Sequence, residues 1–487
     1  MAKSYIKNMK DKLPGITWKV LRRADRTMKG PFTLVLNDTD APLVCEEVIR
    51  IIPGKRLVAF AIWGDQEVAV KLFYEKGKSK RDCQRDVFGS ETLMQANVPT
   101  PKLLFKGTAD KRKRIHVLIY QKITQAKSIE TLWQEKPNPQ ALLPLLRAVT
   151  IEIATQHVLG ILQVDLHLKN FLVTEKNIYT LDGGKIARFE QPLDKKISME
   201  YLSLFLVQLG VGVSDIQKQL FDLYTKSRGW LLKPSDIRYF EKMLAKNNKE
   251  RWQRYRKKIF RTCSAFKRLD KYNKTIVYDR NYESAAFFDF LQNPDATFQQ
   301  SSTIYMKKGN SATVAKIMID DRAYVVKRYN IKNIFHWLRR CLRPTRAVKS
   351  WRLSQHLYAM GVATAKPIAF IEKRFLGLRS QSYFLMEYVD GQNIGDYFAT
   401  HSEDKQMAEN VLVLFNHLAE LHITHGDLKM TNILVEKDRP VLIDLDAMQE
   451  HRLSASFRHS VQSELKRFMR NWQERPPIYH LFNELLK

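Results

Sequence analysis

Long apolar runs are missing from this chain. Nowhere in its 487 residues do about 18 consecutive apolar residues occur, so no segment reads as a membrane-spanning helix. Cysteine is scarce as well. Cys45, Cys83, Cys263 and Cys341 stand far apart, without the paired spacing of a zinc site or a disulfide framework, and read as reduced thiols in a cytoplasm. The opening Met1-Ala2-Lys3-Ser4 leads into polar, basic sequence with no apolar signal core. Acidic residues are also in short supply. Against 81 Lys and Arg stand 51 Asp and Glu, a formal net charge of +30, and so large an excess implies an anionic partner. Nucleic acid, an anionic membrane surface and a phosphorylated substrate are the choices. No aromatic-glycine RNA motif, zinc-finger spacing or basic leucine zipper is present, which makes nucleic acid the weakest of the three. A hydrophobic content of 44% and a length sufficient for two cores describe a soluble globular protein.

What is present centres on His425-Gly426-Asp427-Leu428-Lys429-Met430-Thr431-Asn432, followed by the apolar runs Ile433–Val435 and Val441–Ile443 and then Asp444. The runs read as two short buried strands of a hairpin. An Asp followed five positions later by Asn is the spacing of the catalytic loop in phosphoryl-transfer enzymes of the protein-kinase type. There the Asp accepts the proton of the attacking hydroxyl and the Asn holds a Mg²⁺. Lys429 falls near the transferring phosphate, and Asp444 emerges at a strand end where a carboxylate reaches Mg²⁺ on the ATP phosphates. A six-residue spacing alone occurs by chance in many chains. Here it occurs twice. Asp165, His167, Asn170 and Asp182 repeat it, and Asp165 to Asp182 is 17 positions, as is Asp427 to Asp444.

Upstream, residues 1 to about 45 are polar and irregular, a docking arm or a few extra strands. Val48–Ile52, Leu57–Trp63 and Glu67–Phe73 then read as three strands, the last closing on Lys71 as a phosphate-anchoring lysine does. A helix over Lys80–Ala96 offers Asp86 or Glu91 as its partner. Ile115–Tyr120 reads as a strand, residues 138–160 as a mainly helical stretch with Pro144 in the first turn, and 197–271 as mostly helical. Within the last stretch Trp252, Tyr255, Ile259, Phe266 and Leu269 share one helical face, either packed in a lobe or turned to a membrane or substrate. The second unit restarts with strands Thr303–Met306, Thr313–Ile319 and Ala323–Lys327, the turn at Gly309 and Asn310 serving as its phosphate loop. Lys327 matches Lys71: Lys71 to Asp165 is 94 positions and Lys327 to Asp427 is 100. Ile331–Leu342 reads as an amphipathic helix whose apolar stripe is flanked by Lys332, Arg339, Arg340 and Arg343. It either packs on a lobe or anchors at an interface. The next helix, Trp351–Met360, carries no carboxylate, with Ser350 near the expected place, so Lys327 lacks a helix partner.

The expected fold is α+β: two tandem protein-kinase-like bilobal domains. The first spans 1–275, with a small lobe about 48–120 and a helical lobe about 125–275. The second spans 276–487, with a small lobe about 300–390 and an abbreviated helical lobe about 391–487. In Val326-Lys327-Arg328-Tyr329-Asn330, Gly361-Val362-Ala363-Thr364, His425-Gly426-Asp427 and Ile443-Asp444-Leu445-Asp446 the chain resembles the bacterial lipopolysaccharide core kinase family, the heptose- and Kdo-kinase group related to InaA-like proteins. Val70-Lys71-Leu72-Phe73, Val98-Pro99-Thr100-Pro101, Asp165-Leu166-His167 and Asp182-Gly183-Gly184 carry it in the first half.

The resemblance implies ATP- and Mg²⁺-dependent phosphorylation of a sugar hydroxyl of the lipopolysaccharide core, or another anionic glycan, by a peripheral protein on the cytoplasmic face of the inner membrane. It implies Asp427 and Asp165 as bases, Lys71 and Lys327 as phosphate anchors, and Asn170, Asp182, Asn432 and Asp444 as metal ligands. Gln163, standing where the second loop has His425, departs from it. The competing readings are a tandem pseudokinase scaffold in lipopolysaccharide assembly and a small-molecule or protein kinase indifferent to lipid.

Overall fold

In the computed structural model the described residues are 13–135 and 139–486. The expected absence of a signal core at the extreme N-terminus, and the start of the helix expected from 138, lie outside them. The chain divides into two compact units, residues 1–208 with 215–247 and residues 209–214 with 248–487.

The first unit opens with helix α1 (Trp18–Arg23) and builds a six-stranded antiparallel sheet from β1 (Phe32–Leu34), β2 (Leu43–Ile52), β3 (Arg56–Trp63), β4 (Gln66–Phe73), β5 (Leu103–Ala109) and β6 (Ile115–Gln121). Its order is β1-β2-β3-β4-β6-β5. Helix α2 (Ser79–Gln95) follows β4. The strands alternate because one face closes a core of Leu21, Phe32, Leu57, Val68, Val70 and Val117. Phe73, Leu118 and Tyr120 pack instead on Cys83 and Val87 of α2. The remainder is largely helical: β7 (Lys127–Ser128), α3 (Ile129–Glu135), α4 (Leu143–Val158), α5 (Lys195–Leu206), α6 (Ser214–Ser227) and the first part of α7 (Pro234–Lys258), whose residues from 248 belong to the second unit. The short strands β8 (Ile161–Gln163), β9 (Phe171–Val173), β10 (Ile178–Thr180) and β11 (Ile186–Arg188) frame the Asp165 loop. Pro144 stands in the first turn of α4, where its missing N–H costs nothing.

The second unit contains a seven-stranded sheet made from β12 (Phe266–Lys271), β13 (Lys274–Asp279), β14 (Ile304–Lys308), β15 (Ala312–Ile319), β16 (Arg322–Tyr329), β17 (Pro367–Phe375) and β18 (Leu378–Glu387), in the order β12-β13-β17-β18-β16-β15-β14. Five strands, β14-β15-β16-β18-β17, repeat the order β2-β3-β4-β6-β5. The registers repeat too. Lys71 faces Val58 and Leu118, and Lys327 faces Val314 and Phe384. Helices α8 (Ala285–Gln292) and α9 (Pro294–Thr297) precede β14, and α10 (Ile334–Leu338) and α11 (Arg346–Met360) follow β16. Beyond β18 come β19 (Gln392–Asn393), α12 (Ile394–Thr400), α13 (Lys405–Glu420), β20 (Ile423–Thr424), β21 (Ile433–Glu436), β22 (Arg439–Leu442), β23 (Gln449–Glu450), α14 (Ser454–Arg470) and α15 (Pro476–Leu485). Phe398, Phe468, Trp472 and Phe482 close that helical core.

Three expectations change. Residue 275, the expected boundary, lies within β13, which hydrogen-bonds to β17 of the second sheet. The helix expected to run to 271 ends at Lys258, and Phe266 and Leu269 belong to β12. Ile331–Leu342 contains only the short helix α10, because Pro344 follows it closely and its apolar stripe lacks a partner to propagate against. The four cysteines are free thiols, and burial pushes Cys45 up to about 12 and Cys83 up to about 11.

Candidate functional site

Each sheet presents its lysine to a carboxylate. In the first unit Lys71 Nζ lies 2.8 Å from Asp86 Oδ1 and 3.0 Å from Oδ2, so Asp86, not Glu91, is the helix partner. Asp86 is fully buried and also accepts from the Tyr120 hydroxyl at 2.7 Å. Helix α2 is pressed against the turn after β10. A Cβ on Gly89 would fall 1.9 Å from the Gly183 carbonyl oxygen, and one on Gly184 3.2 Å from Asp86 Oδ2. Only glycines let that helix bring its carboxylate so close.

The second unit solves the same problem from the other side. Lys327 Nζ lies 2.5 Å from Asp444 Oδ1 and 2.7 Å from Oδ2 of Asp446, a residue the motif reading did not single out. Asp446 occupies the position of Gly184, two residues past the strand-end aspartate. Ser350 on α11 donates to Asp446 at 2.8 Å, Tyr329 at 2.6 Å and Arg346 at 2.8 Å. Burial works to raise the Asp446 pKa, but Lys327, the Tyr329 hydroxyl and the Arg346 charge outweigh it and hold the carboxyl below its usual range. The acid missing from the helix is therefore supplied by the turn. The sequence signal was present as the second Asp of Asp444-Leu445-Asp446, but its partner lies 119 positions away.

The two loops are built alike. Asn170 donates its amide to the Asp165 carbonyl at 2.7 Å, and Asn432 to that of Asp427 at 2.8 Å. The backbone N–H of Leu181 donates to Asn170 O, and that of Ile443 to Asn432 O, which ties each loop to the strand ending at the second aspartate. Asp182 and Asp444 both take left-handed backbone, at φ 65° and 57°. Such conformations are costly outside glycine and favoured by Asp and Asn among other residues, and they cluster at functional sites. His425 is buried and donates from Nε2 to the Ile443 carbonyl at 3.0 Å. Gln163, its counterpart, donates instead to Gln156 at 2.8 Å.

Each loop aspartate is flanked by cations. Asp427 accepts from Lys429 at 3.0 Å and from Arg467 of α14 at 3.3 Å. At the Lys429 position the first unit has His167, with Nε2 3.1 Å from Asp165 Oδ1. The Gln208 amide nitrogen donates to the Leu166 and Leu204 carbonyls, so its oxygen faces His167 Nδ1 at 2.7 Å. Both ring nitrogens thus face oxygens, Nδ1 that of Gln208 and Nε2 that of Asp165. This hydrogen bond, aided by the charges of His167 and nearby lysines, lowers Asp165 to about 2. Gln208 and Arg467 went unnoticed in the sequence, because each acts on a neighbour distant in the chain, and His167, seen only as part of the repeat, had no role read for it. Gly309 accepts through its carbonyl from the Asn330 side chain at 3.1 Å, which holds the turn beside β16. The Asn310 side chain makes no hydrogen bond among the described residues. Beside α2 a cavity of about 300 Å³ is lined by Lys55, Arg56, Arg85 and Lys185 and reaches Gly184.

A lysine-bearing antiparallel sheet, an Asp–Asn loop and a strand-end aspartate define a kinase-like α+β protein. Residues 299–477, within the second unit, match the model of the Lipopolysaccharide kinase (Kdo/WaaP) family, so the resemblance read from the motifs holds for that segment. The chain is 29% identical over 157 residues to the 3-deoxy-D-manno-octulosonic acid kinase of Haemophilus influenzae strain 86-028NP, covering 28% of this chain and 65% of that kinase. The kinase of the same name from strain PittEE matches to the same extent. Serine/threonine-protein kinase RAD53 of Saccharomyces cerevisiae is 35% identical over 68 residues, 13% of this chain and 8% of that protein. The chain thus spans less than two thirds of the length of these relatives.

Two outcomes follow from the geometry. Asp446→Gly leaves Lys327 with Asp444 alone and deprives Ser350, Tyr329 and Arg346 of their acceptor, and is expected to cost about 1–3 kcal/mol of second-unit stability in denaturant unfolding. Adding Ser350→Asp, which supplies the acid from the helix as the first unit does, should recover much of it; no recovery would refute the equivalence. A depressed carboxylate pKa stabilises the fold above the ordinary value of 3.8 and loses that contribution as pH falls towards about 2. His167→Ala should therefore return Asp165 towards 3.8 in a carboxyl-carbon NMR titration. An unmoved titration would mean that His167 does not set it.

Proposed function

We propose that the chain comprises two tandem kinase-like units, each pairing its sheet with its helical part. The second unit transfers phosphate from ATP to a sugar hydroxyl of the lipopolysaccharide inner core, at the cytoplasmic face of the inner membrane. The observation that carries this reading is that the Lys327–Asp444–Asp446 network and the Asp427 loop both fall inside the segment matched by the lipopolysaccharide kinase family. The sugar-acid kinases of Haemophilus influenzae support a core sugar as acceptor.

In this reading Asp427 receives the proton of the acceptor hydroxyl, and Lys429 and Arg467 beside it neutralise charge gathering on the transferring group. Lys327 turns from Asp444 to the nucleotide phosphates while Asp446 keeps it in place. Asn432 and Asp444 would hold Mg²⁺. They suit it, since the Asn432 nitrogen is tied to Asp427 O and leaves a hard oxygen donor near a carboxylate. Among the described residues no three His, Cys, Asp or Glu gather into a metal site, so phosphate and water would complete the shell. When bound, the ion neutralises phosphate charge. Lys71, Asp165, Asn170 and Asp182 would serve nucleotide in the first unit, beside its basic cavity.

Phosphotransfer from labelled ATP to purified core oligosaccharide tests the reading. Asp427→Asn should slow turnover by about 10²–10⁴-fold. If Asp427→Asn, Asp165→Asn and the double variant all turn over like the parent, neither loop is catalytic.

Peripheral membrane association belongs to the same proposal. No helix among the described residues is long and apolar enough to cross a membrane. Of the two basic, apolar stretches, Trp252, Tyr255 and Ile259 are consumed in packing on Trp351 and Phe370. The other stays open. Phe335, Leu342 and the hairpin residue Leu376 are 79%, 77% and 75% exposed beside Arg339, Arg340 and Arg343, and each basic residue near an anionic leaflet contributes about 1 kcal/mol. In liposome sedimentation, binding should require anionic lipid, fall with salt, and weaken roughly tenfold or more in Phe335→Ser/Leu342→Ser. Equal binding to neutral vesicles would remove the membrane from this account.

A further inference from the structure

The second unit has a basic hollow outside the residues assigned to phosphotransfer. A cavity of about 200 Å³ opens beside the start of α11, and Lys327, Asp427, Asn432 and Asp444 do not line it. Four cations do: Lys332, Arg340, Arg346 and Arg379. Arg379 is engaged, donating to Glu372 at 3.2 Å and to the Leu342 carbonyl at 2.9 Å, and Arg346 donates to Asp446. Lys332 and Arg340 have neither a hydrogen-bond nor an ion-pair partner for their side chains among the described residues. No acidic side chain lines the cavity.

Lys332 and Arg340 thus face a concave polar site with no carboxylate of their own, beside two guanidinium groups whose carboxylates lie outside the lining, and an entering anion supplies the missing counter-charge. The donor set specifies the anion. Two guanidinium groups not yet fully used, an ammonium and the hydroxyls of Ser380 and Ser382 offer more donors than one carboxylate accepts, whereas a phosphate presents several acceptor oxygens. The first turn of α11, a helix of 15 residues, adds its positive dipole end through Thr345 and Arg346 at the cavity wall.

We propose that this cavity binds a phosphate group, either free in solution or as the terminal phosphomonoester of a lipid. The inference stands on the cavity alone and does not need the kinase reading. A bound phosphate would share the Arg346 guanidinium with Asp446, and would thereby touch the network around Lys327.

Calorimetric titration of the full chain with inorganic phosphate, with Mg²⁺ and a non-hydrolysable ATP analogue present, provides the test. Lys332→Gln/Arg340→Gln alters only exposed side chains outside the proposed phosphotransfer machinery, so melting temperature and analogue binding should match the parent. Phosphate affinity should fall about tenfold for each cation removed. A second arm uses vesicles containing phosphatidate or phosphatidylglycerol at equal surface charge. Preference for phosphatidate, lost in the variant and displaced by free phosphate, identifies a lipid source; phosphate binding without that preference identifies a soluble one. If the parent binds neither, or the variant binds both as the parent does, the site is refuted. Nucleotide binding is read separately, so failure of the kinase proposal leaves this result intact.

Discussion

Each unit rests on a strand lysine held against a carboxylate, buried in Asp86 and largely covered in Asp446. An ammonium taken from water without a partner is costly, and a carboxylate more so, which makes the pair the constraint around which sheet, helix and turn are placed. In the first unit it binds α2 to β4 on the face of the sheet. In the second it binds the turn after β22 to β16, and α11 joins through Ser350 and Arg346. The hydroxyls of Tyr120 and Tyr329 complete the two networks, each donating to the carboxylate.

That carboxylate comes from different elements. Where the helix carries Asp86, the turn carries Gly184; where the turn carries Asp446, the helix carries Ser350. The volume available admits one acid, as the 3.2 Å approach of a Gly184 Cβ to Asp86 shows. A helix lacking its acid is thus no mark of a degraded unit. The loop aspartates follow the same logic, with Lys429 and Arg467 around one and His167, oriented by Gln208, beside the other.

Two stretches of similar composition meet opposite fates. Trp252, Tyr255 and Ile259 lie where the sheet and α11 offer a complementary apolar face, and they are covered. Ile334, Phe335, Leu338 and Leu342 follow a strand end with no such face among the described residues, and remain open beside their arginines. Packing on the far side, rather than the pattern itself, decides whether an amphipathic stretch becomes core or surface.

The sequence by itself determined the strands around Lys71 and Lys327, the hairpins leading to Asp182 and Asp444, and the loop spacings. These depend on local alternation, turn residues and fixed short offsets, which the chain carries in order. It left open Asp86 against Glu91, and it could not place Phe266 and Leu269 in a strand or shorten the helix at Ile331. Those choices depend on what lies opposite. It carried Asp446 and His167 in its motifs without a role and did not reveal Gln208 or Arg467; the bonds of Asp446 to Lys327, of Gln208 to His167 and of Arg467 to Asp427 exist only once residues far apart in the chain are brought within hydrogen-bonding distance. Tertiary structure decided them because ion pairs and packing act over a few ångströms of space, irrespective of separation along the backbone.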